Sequence, residues 1–387
     1  MNKNNQSDNN IIEYLHQLGH LTLEEEPFNI VDNVVLACGA YTEIEKVLPG
    51  IMQNHNSLSY EEIPVTEICE AYFACHSREE LEESKSLARV APFVFEAMAS
   101  SRRFGKTTIR NLVSRTSVEE ETHFTAMEYC LEDGTSYIAF RGTDDTIVGW
   151  KESFNMTCQR IPSEEAALEY VNSVCRQEDR SYRIGGHSKG GHLAVYSSAL
   201  CHKDVQDRII AIYNNEGPGF SQAFLNEPGY KQIRERICRI IPEGSVIGML
   251  LDNDVEPIIV KSLVKGLVQH DGTTWQTEGG DFVRTEELTR TARNIKSAFT
   301  QWLPDITLKN RDNMIDDIFG IVEITGTFQE MTEELKTNLR GTIRDLRNLD
   351  GYTKEQLNRF VLVLTRTALG RKMPLTRSII LQDMKSK

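Results

Sequence analysis

Between residues 11 and 100, apolar positions recur at the spacing of a helix, most clearly over 34–48 and 79–90, with Pro27, Pro49, Pro64 and Pro92 as punctuation. This pattern predicts helices packed around a sheet that forms later in the chain. The period then changes. Residues 124–131 and 137–140 favour strand, and Glu132, Asp133 and Gly134 between them are turn formers, which predicts a hairpin. Over 163–177 a helical face returns in Ala166, Ala167, Leu168, Val171 and Val174, followed by a short strand at 182–185. Leu193, Ala194, Tyr196, Ser197 and Leu200 suit a second helix beginning just after Ser188. Apolar runs at 208–213 and 245–251 read as further strands, the first ending in the turn-rich Asn214, Asn215, Glu216, Gly217, Pro218, Gly219. Alternation of strand and helix at this spacing predicts an α/β chain with a largely parallel, covered central sheet.

Beyond about Arg284 the pattern is helical almost throughout, broken at Pro304, Gly326, Gly341 and Gly351, with Thr353 and Gln356 as a capping box before the apolar run 357–364. The expected organisation is a polar tail at 1–10, an α/β domain at 11–283, and an all-helical extension or cap at 284–387. Within the domain, 11–123 is the helical N-terminal part and 124–283 the core. A chain of 387 residues accommodates one such domain with appended helices.

The net charge of −14 would on average repel a phosphate backbone or an anionic bilayer, so nucleic acid is not an expected partner. The N-terminus is polar and Asn-rich and lacks the basic and apolar flanks of a secretory signal, which leads to an expected cytoplasmic location. No run approaches the ~18 apolar residues of a spanning helix, leaving only peripheral membrane contact open. The eight cysteines show no CxxC spacing and read as small buried hydrophobes rather than metal or redox ligands.

The chemistry concentrates at Gly186, His187, Ser188, Lys189, Gly190, Gly191, a GxSxG pattern where a strand meets a helix. Such a junction needs a sharp turn, and flanking glycines let strand and helix approach without Cβ clashes. It presents the serine hydroxyl above the sheet edge, while the helix start directs backbone N–H groups and its positive end toward a developing oxyanion. His187 and His192, beside the serine, read as packing residues, and Arg141 as a structural ion-pair former. No GxxxxGK(S/T), HExxH or EF-hand loop is present, and no cofactor is expected.

Tyr137, Ile138, Ala139, Phe140, Arg141, Gly142, Thr143, then Trp150, followed by GHSKGG, resembles the class 3 lipases, a branch of the α/β hydrolases. Residues 213–220 resemble that family's strand ending in a glycine and proline loop, Asp254, Val255, Glu256, Pro257 its acid-bearing segment, and His270 with Trp275 its histidine region. The match covers roughly 124–282. Residues 27–32 and the phrase Pro242, Glu243, Gly244, Ser245 further resemble a bacterial lipase-like family, for which the resemblance implies a fold but no substrate.

The resemblance implies an α/β-hydrolase fold with Ser188 as nucleophile and an oxyanion hole from the backbone of Lys189 and from Thr143. The segment 144–162, holding Trp150 and Phe154, takes the place of a lid. Independently, acyl transfer on this fold uses the order serine, acid, histidine. Of the two histidines after the helix, His202 lies near its far end, so His270 is the expected base. Glu243, Asp252, Asp254 and Glu256 crowd the candidate acid region; Asp254 is favoured, with Asp252 and then Glu256 behind it. Lys189 stands at a usually apolar position and would place a cation near the mouth of the site. The expected activity is a serine hydrolase acting on an acyl ester or lipid. A non-catalytic scaffold that binds a protein partner, or a thioesterase, is the alternative.

Overall fold

The computed structural model describes residues 9–48, 62–84, 86, 88–117, 122–143, 161–175 and 180–302. A division between Glu287 and Leu288 separates two compact units. The first contains an eight-stranded sheet whose strands stand in the order of the chain. These are β1 (Ile63–Pro64), β2 (Thr108–Ser117), β3 (Thr122–Cys130), β4 (Ser136–Phe140), β5 (Tyr182–His187), β6 (Ile209–Asn215), β7 (Ile237–Pro242) and β8 (Ile258–Val260). Pairing is antiparallel from β1 to β4 and parallel from β4 to β8.

Side chains that alternate along the strands feed two separate cores, as a period of two requires. Met127, Tyr129, Tyr137 and Ala139 face helices α1 (Ile11–Leu18), α2 (Ile30–Gly39), α3 (Val65–Cys75) and α5 (Ala91–Ser100), with the short α4 (Arg78–Glu82) before the last of these. Phe124, Ala126, Ile138 and Phe140 face α6 (Pro162–Val174), α7 (Lys189–Leu200) and α8 (Pro228–Ile233). All of β4 is therefore buried, including Ser136. The chain is a mixed α/β protein with helices on both faces of a mostly parallel sheet. The second unit contains α9 (Arg290–Trp302) among its described residues.

Local chemistry explains the entry of α2. The Asn29 side chain accepts from the N–H groups of Val31 and Asp32, and Asp32 returns a bond to the Asn29 N–H, a reciprocal cap worth about 1 kcal/mol. Asp32 is fully buried and also holds Arg103 through Nε at 2.7 Å and Nη2 at 2.5 Å.

The expected hairpin is present as β3 and β4, with Gly134 at φ 78 in the turn. The expected strand over 245–251 is not: that stretch holds a 3₁₀ turn, Ile247–Met249, and the strand is Ile237–Pro242. Arg239 disguises the true strand, because it interrupts the apolar run and yet is buried, its guanidinium bonded to the Gly248 carbonyl. In the false strand Gly248 and Met249 are buried, with the Met249 sulfur 3.9 Å from Arg239 Nη2. The helix expected over 79–90 is also absent in that form; α4 stops at Glu82 and α5 starts at Ala91. The capping box at Thr353 lies outside the described residues.

Candidate active site

Strand β5 ends at His187 and α7 starts at Lys189, which leaves Ser188 alone at the corner with φ 58 and ψ −129. A residue with a Cβ in this region is strained by roughly 1–3 kcal/mol, and such strain persists only where the surroundings fix it. Here they do. The Ser188 N–H donates to the Asn215 carbonyl at 2.9 Å, and a side chain at Gly186 or Gly190 would run into the Phe140 carbonyl oxygen. The two glycines thus let α7 sit directly on β4 and β5.

Next to this corner, β6 ends in Asn215, and Glu216 follows it. Asn215 exchanges two bonds with Asn33 of α2, at 2.8 and 3.0 Å, and gives another to the Gly186 carbonyl at 3.0 Å. Tyr137 completes the group by donating to Asn33 Oδ1 at 2.8 Å. Glu216 follows with φ 55 and is 1% exposed. Its Oε1 accepts from Ser245 Oγ at 3.0 Å and the Val246 N–H at 3.3 Å, and lies 3.8 Å from His270 Nδ1. Glu216 Oε2 and His270 Nδ1 are both buried polar atoms without a hydrogen-bond partner. Such atoms are costly unless paired, and a small shift of either side chain would satisfy both.

His270 closes the 3₁₀ turn Gly266–His270, and its neighbours hold it there. Trp275, fully buried, donates from Nε1 to the Gln269 carbonyl at 2.9 Å, and the Gln269 side chain accepts the Gly244 N–H at 2.8 Å. The His270 carbonyl is 2.6 Å from His187 Nε2, and the two imidazole rings lie 4.6 Å apart. Burial first, then the neighbouring His270, pushes the His187 imidazole down to a pKa of about 3, so it is neutral at ordinary pH. Sequence reasoning placed His187 among packing residues; it is buried, as that reading expects, and is also hydrogen-bonded at both ring nitrogens.

Thr143 lies three residues past β4, and Lys189 opens α7, where main-chain N–H groups point out from the helix start. Arg141 anchors the chain just past β4: its guanidinium binds both oxygens of Glu45, at 2.5 and 2.8 Å, and the carbonyls of Ala40 and Thr42. The Lys189 side chain is 1% exposed, so the cation expected at the mouth of the site is buried. His192 is a packing residue as expected, bonded to Glu164 at 2.8 Å and stacked on Phe220.

The structure turns Asp254 elsewhere. Its carboxylate accepts from the Tyr230 hydroxyl and from Arg234 Nε at 2.9 Å. Burial acts to raise its pKa, but these two donors outweigh it and hold the carboxyl below its ordinary value. Asp252 is bonded to Gln222. The expectation for Asp254 rested on a strand ending at residue 251. With the strand moved to Ile237–Pro242, the carboxylate at His270 is Glu216, just past β6. One signal for it is in the sequence: Glu216 is the first acid after the strand that follows the nucleophile. The segment 144–160, with Trp150 and Phe154, lies outside the described residues.

Among the described residues there is no group of three or more His, Cys, Asp or Glu side chains able to hold a metal ion, and no helix long and apolar enough to cross a membrane. A family model described as Mbeg1-like matches residues 98–320, which include the Ser188 corner, Glu216 and His270. Neither the curated proteins nor the solved structures contain a match to the chain.

Proposed function

The chain belongs to the Mbeg1-like family, which is related to lipase-like proteins, and from that premise we propose that it is a serine hydrolase that cleaves a carboxylic ester of an acyl or lipid substrate. Ser188 is the nucleophile, His270 the base and Glu216 the acid, in place of Asp254. The observation that carries this reading is the pairing of strained corners: Ser188 and Glu216 both have positive φ at the ends of adjacent parallel strands, and Glu216 faces His270.

In the proposed reaction Ser188 Oγ attacks the ester carbonyl carbon while His270 Nε2 takes its proton. The tetrahedral oxyanion is met by the main-chain N–H groups of Lys189 and Thr143. His270 then protonates the departing alcohol, which leaves an acyl group on Ser188, and water activated by the same imidazole releases the carboxylic acid. Glu216 orients the ring through Nδ1 and stabilises its cation.

The test is turnover of short p-nitrophenyl esters by Ser188→Ala, where a loss on the order of 10³-fold or more is expected with an unchanged melting temperature. Wild-type protein should also take a fluorophosphonate label on Ser188. Absence of both label and turnover in the wild type would leave a non-catalytic scaffold as the better reading.

A further inference from the structure

His187 is held at both ring nitrogens by atoms that belong to the site. A carbonyl oxygen only accepts, so the contact of 2.6 Å to the His270 carbonyl places the imidazole proton on Nε2. Nδ1 then carries the lone pair and accepts from the Tyr41 hydroxyl at 3.1 Å. The Tyr41 hydroxyl also packs against Gly142, directly before Thr143, so closely that a Cβ on Gly142 would run into it. His187 is buried and Tyr41 half-buried, and the two rings meet edge to face. A chain of contacts thus runs from Gly142 through the Tyr41 hydroxyl and His187 to the main chain of His270, with the His187 carbonyl as a second acceptor for that hydroxyl at 3.3 Å.

On the hydrolase reading above, we propose that His187, oriented by Tyr41, is a positioning residue that holds the backbone of His270 so that its imidazole stays between Glu216 and Ser188. The side chain of His270 needs freedom to exchange a proton, whereas its main chain needs none. Fixing the carbonyl, rather than the ring, supplies registry without competing for Nδ1 or Nε2. The same chain ties the base to the loop that carries Thr143, so the oxyanion donor and the base share one frame.

The test compares full-length wild type with His187→Leu, His187→Gln and Tyr41→Phe for kcat and KM on a short p-nitrophenyl ester, with thermal melts alongside. The leucine removes the donor; the glutamine amide can reach the same carbonyl. His187→Leu should lower kcat roughly 10–100-fold, as a misplacement near 1 Å does, with KM nearly unchanged, and His187→Gln should restore most of the loss. Tyr41→Phe should fall between them. Equal loss in the leucine and glutamine variants, or kcat in both His187→Leu and Tyr41→Phe within about two-fold of wild type, would overturn the proposal. If His187→Leu does not fold, Tyr41→Phe decides: a fall in kcat at constant KM supports the role, and unchanged kcat overturns it. A wild type without turnover or fluorophosphonate labelling would instead sink the hydrolase reading itself.

Discussion

Glu216 and Ser188 adopt backbone angles that ordinary side chains avoid, φ 55 and φ 58, and each is fixed by a bond to a neighbouring strand. Strain of this kind is retained where geometry matters more than stability. Glu216→Gln keeps the size of the side chain and removes its charge; kcat should fall by about 10²–10⁴-fold with little change in KM. Asp254→Asn should stay within a few-fold of wild type. The reverse ranking would return the acid to Asp254. Ser188 and His270 were readable as candidates because acyl transfer dictates their residue types and order. The carboxylate that faces His270 was not, because its position depends on where strands end, and Arg239 hid the end of β7.

His187 also makes a prediction about pH. In the unfolded chain it titrates near 6.5, and in the folded chain near 3, because burial and His270 oppose the cation. Between these values the unfolded state binds the extra proton, so the contribution is complete above pH 6.5 and is lost as pH falls toward 3, with a slope of up to roughly 1.4 kcal/mol per pH unit. Wild type should therefore lose more stability than His187→Gln on going from about pH 7 to about pH 5 in urea melts. A constant gap between the two would mean that His187 is not held neutral.

Among the elements, those with unbroken periodicity were legible: the β3–β4 hairpin, β5 with α7, and α6. Strand β2 was not, because Asn111 has φ 53 and a bulge between Arg110 and Val113 breaks its alternation. Its polar residues are buried instead, with Arg110 and Asn111 bonded to the fully buried Glu128. The join between α2 and α5 follows similar logic. Arg103, just past α5, and Asp32 in α2 are both inaccessible to solvent, and Arg103 also donates to the carbonyls of Glu26 and Pro27. Asp32→Ala leaves that guanidinium buried without its counter-charge and should destabilise the fold by about 3–5 kcal/mol in urea melts. A cost below about 1 kcal/mol would mean that water or the backbone carbonyls suffice.

At the scale of the molecule, the boundary at Glu287 separates a first unit that holds the sheet, both its cores, Ser188, Glu216 and His270. A chain ended at Glu287 should keep near-UV circular dichroism and one cooperative melting transition. A molten product with dye-binding apolar surface would show that residues beyond Glu287 complete the core.

The sheet's strand order has a consequence for synthesis. Each strand from β1 to β8 pairs with the next one made, so a growing chain can lay the sheet down edge by edge as it leaves the ribosome, with no place held open for a latecomer. The strand that leads into Ser188 can then be in place before His270 has been translated, so the two come together only after β8 has been made. A later step closes a ring: the Thr277 N–H and hydroxyl bond to the carbonyls of Asn9 and Asn10, just ahead of α1. The segment from His270 to Thr277 thus docks against residues made before any strand of the sheet.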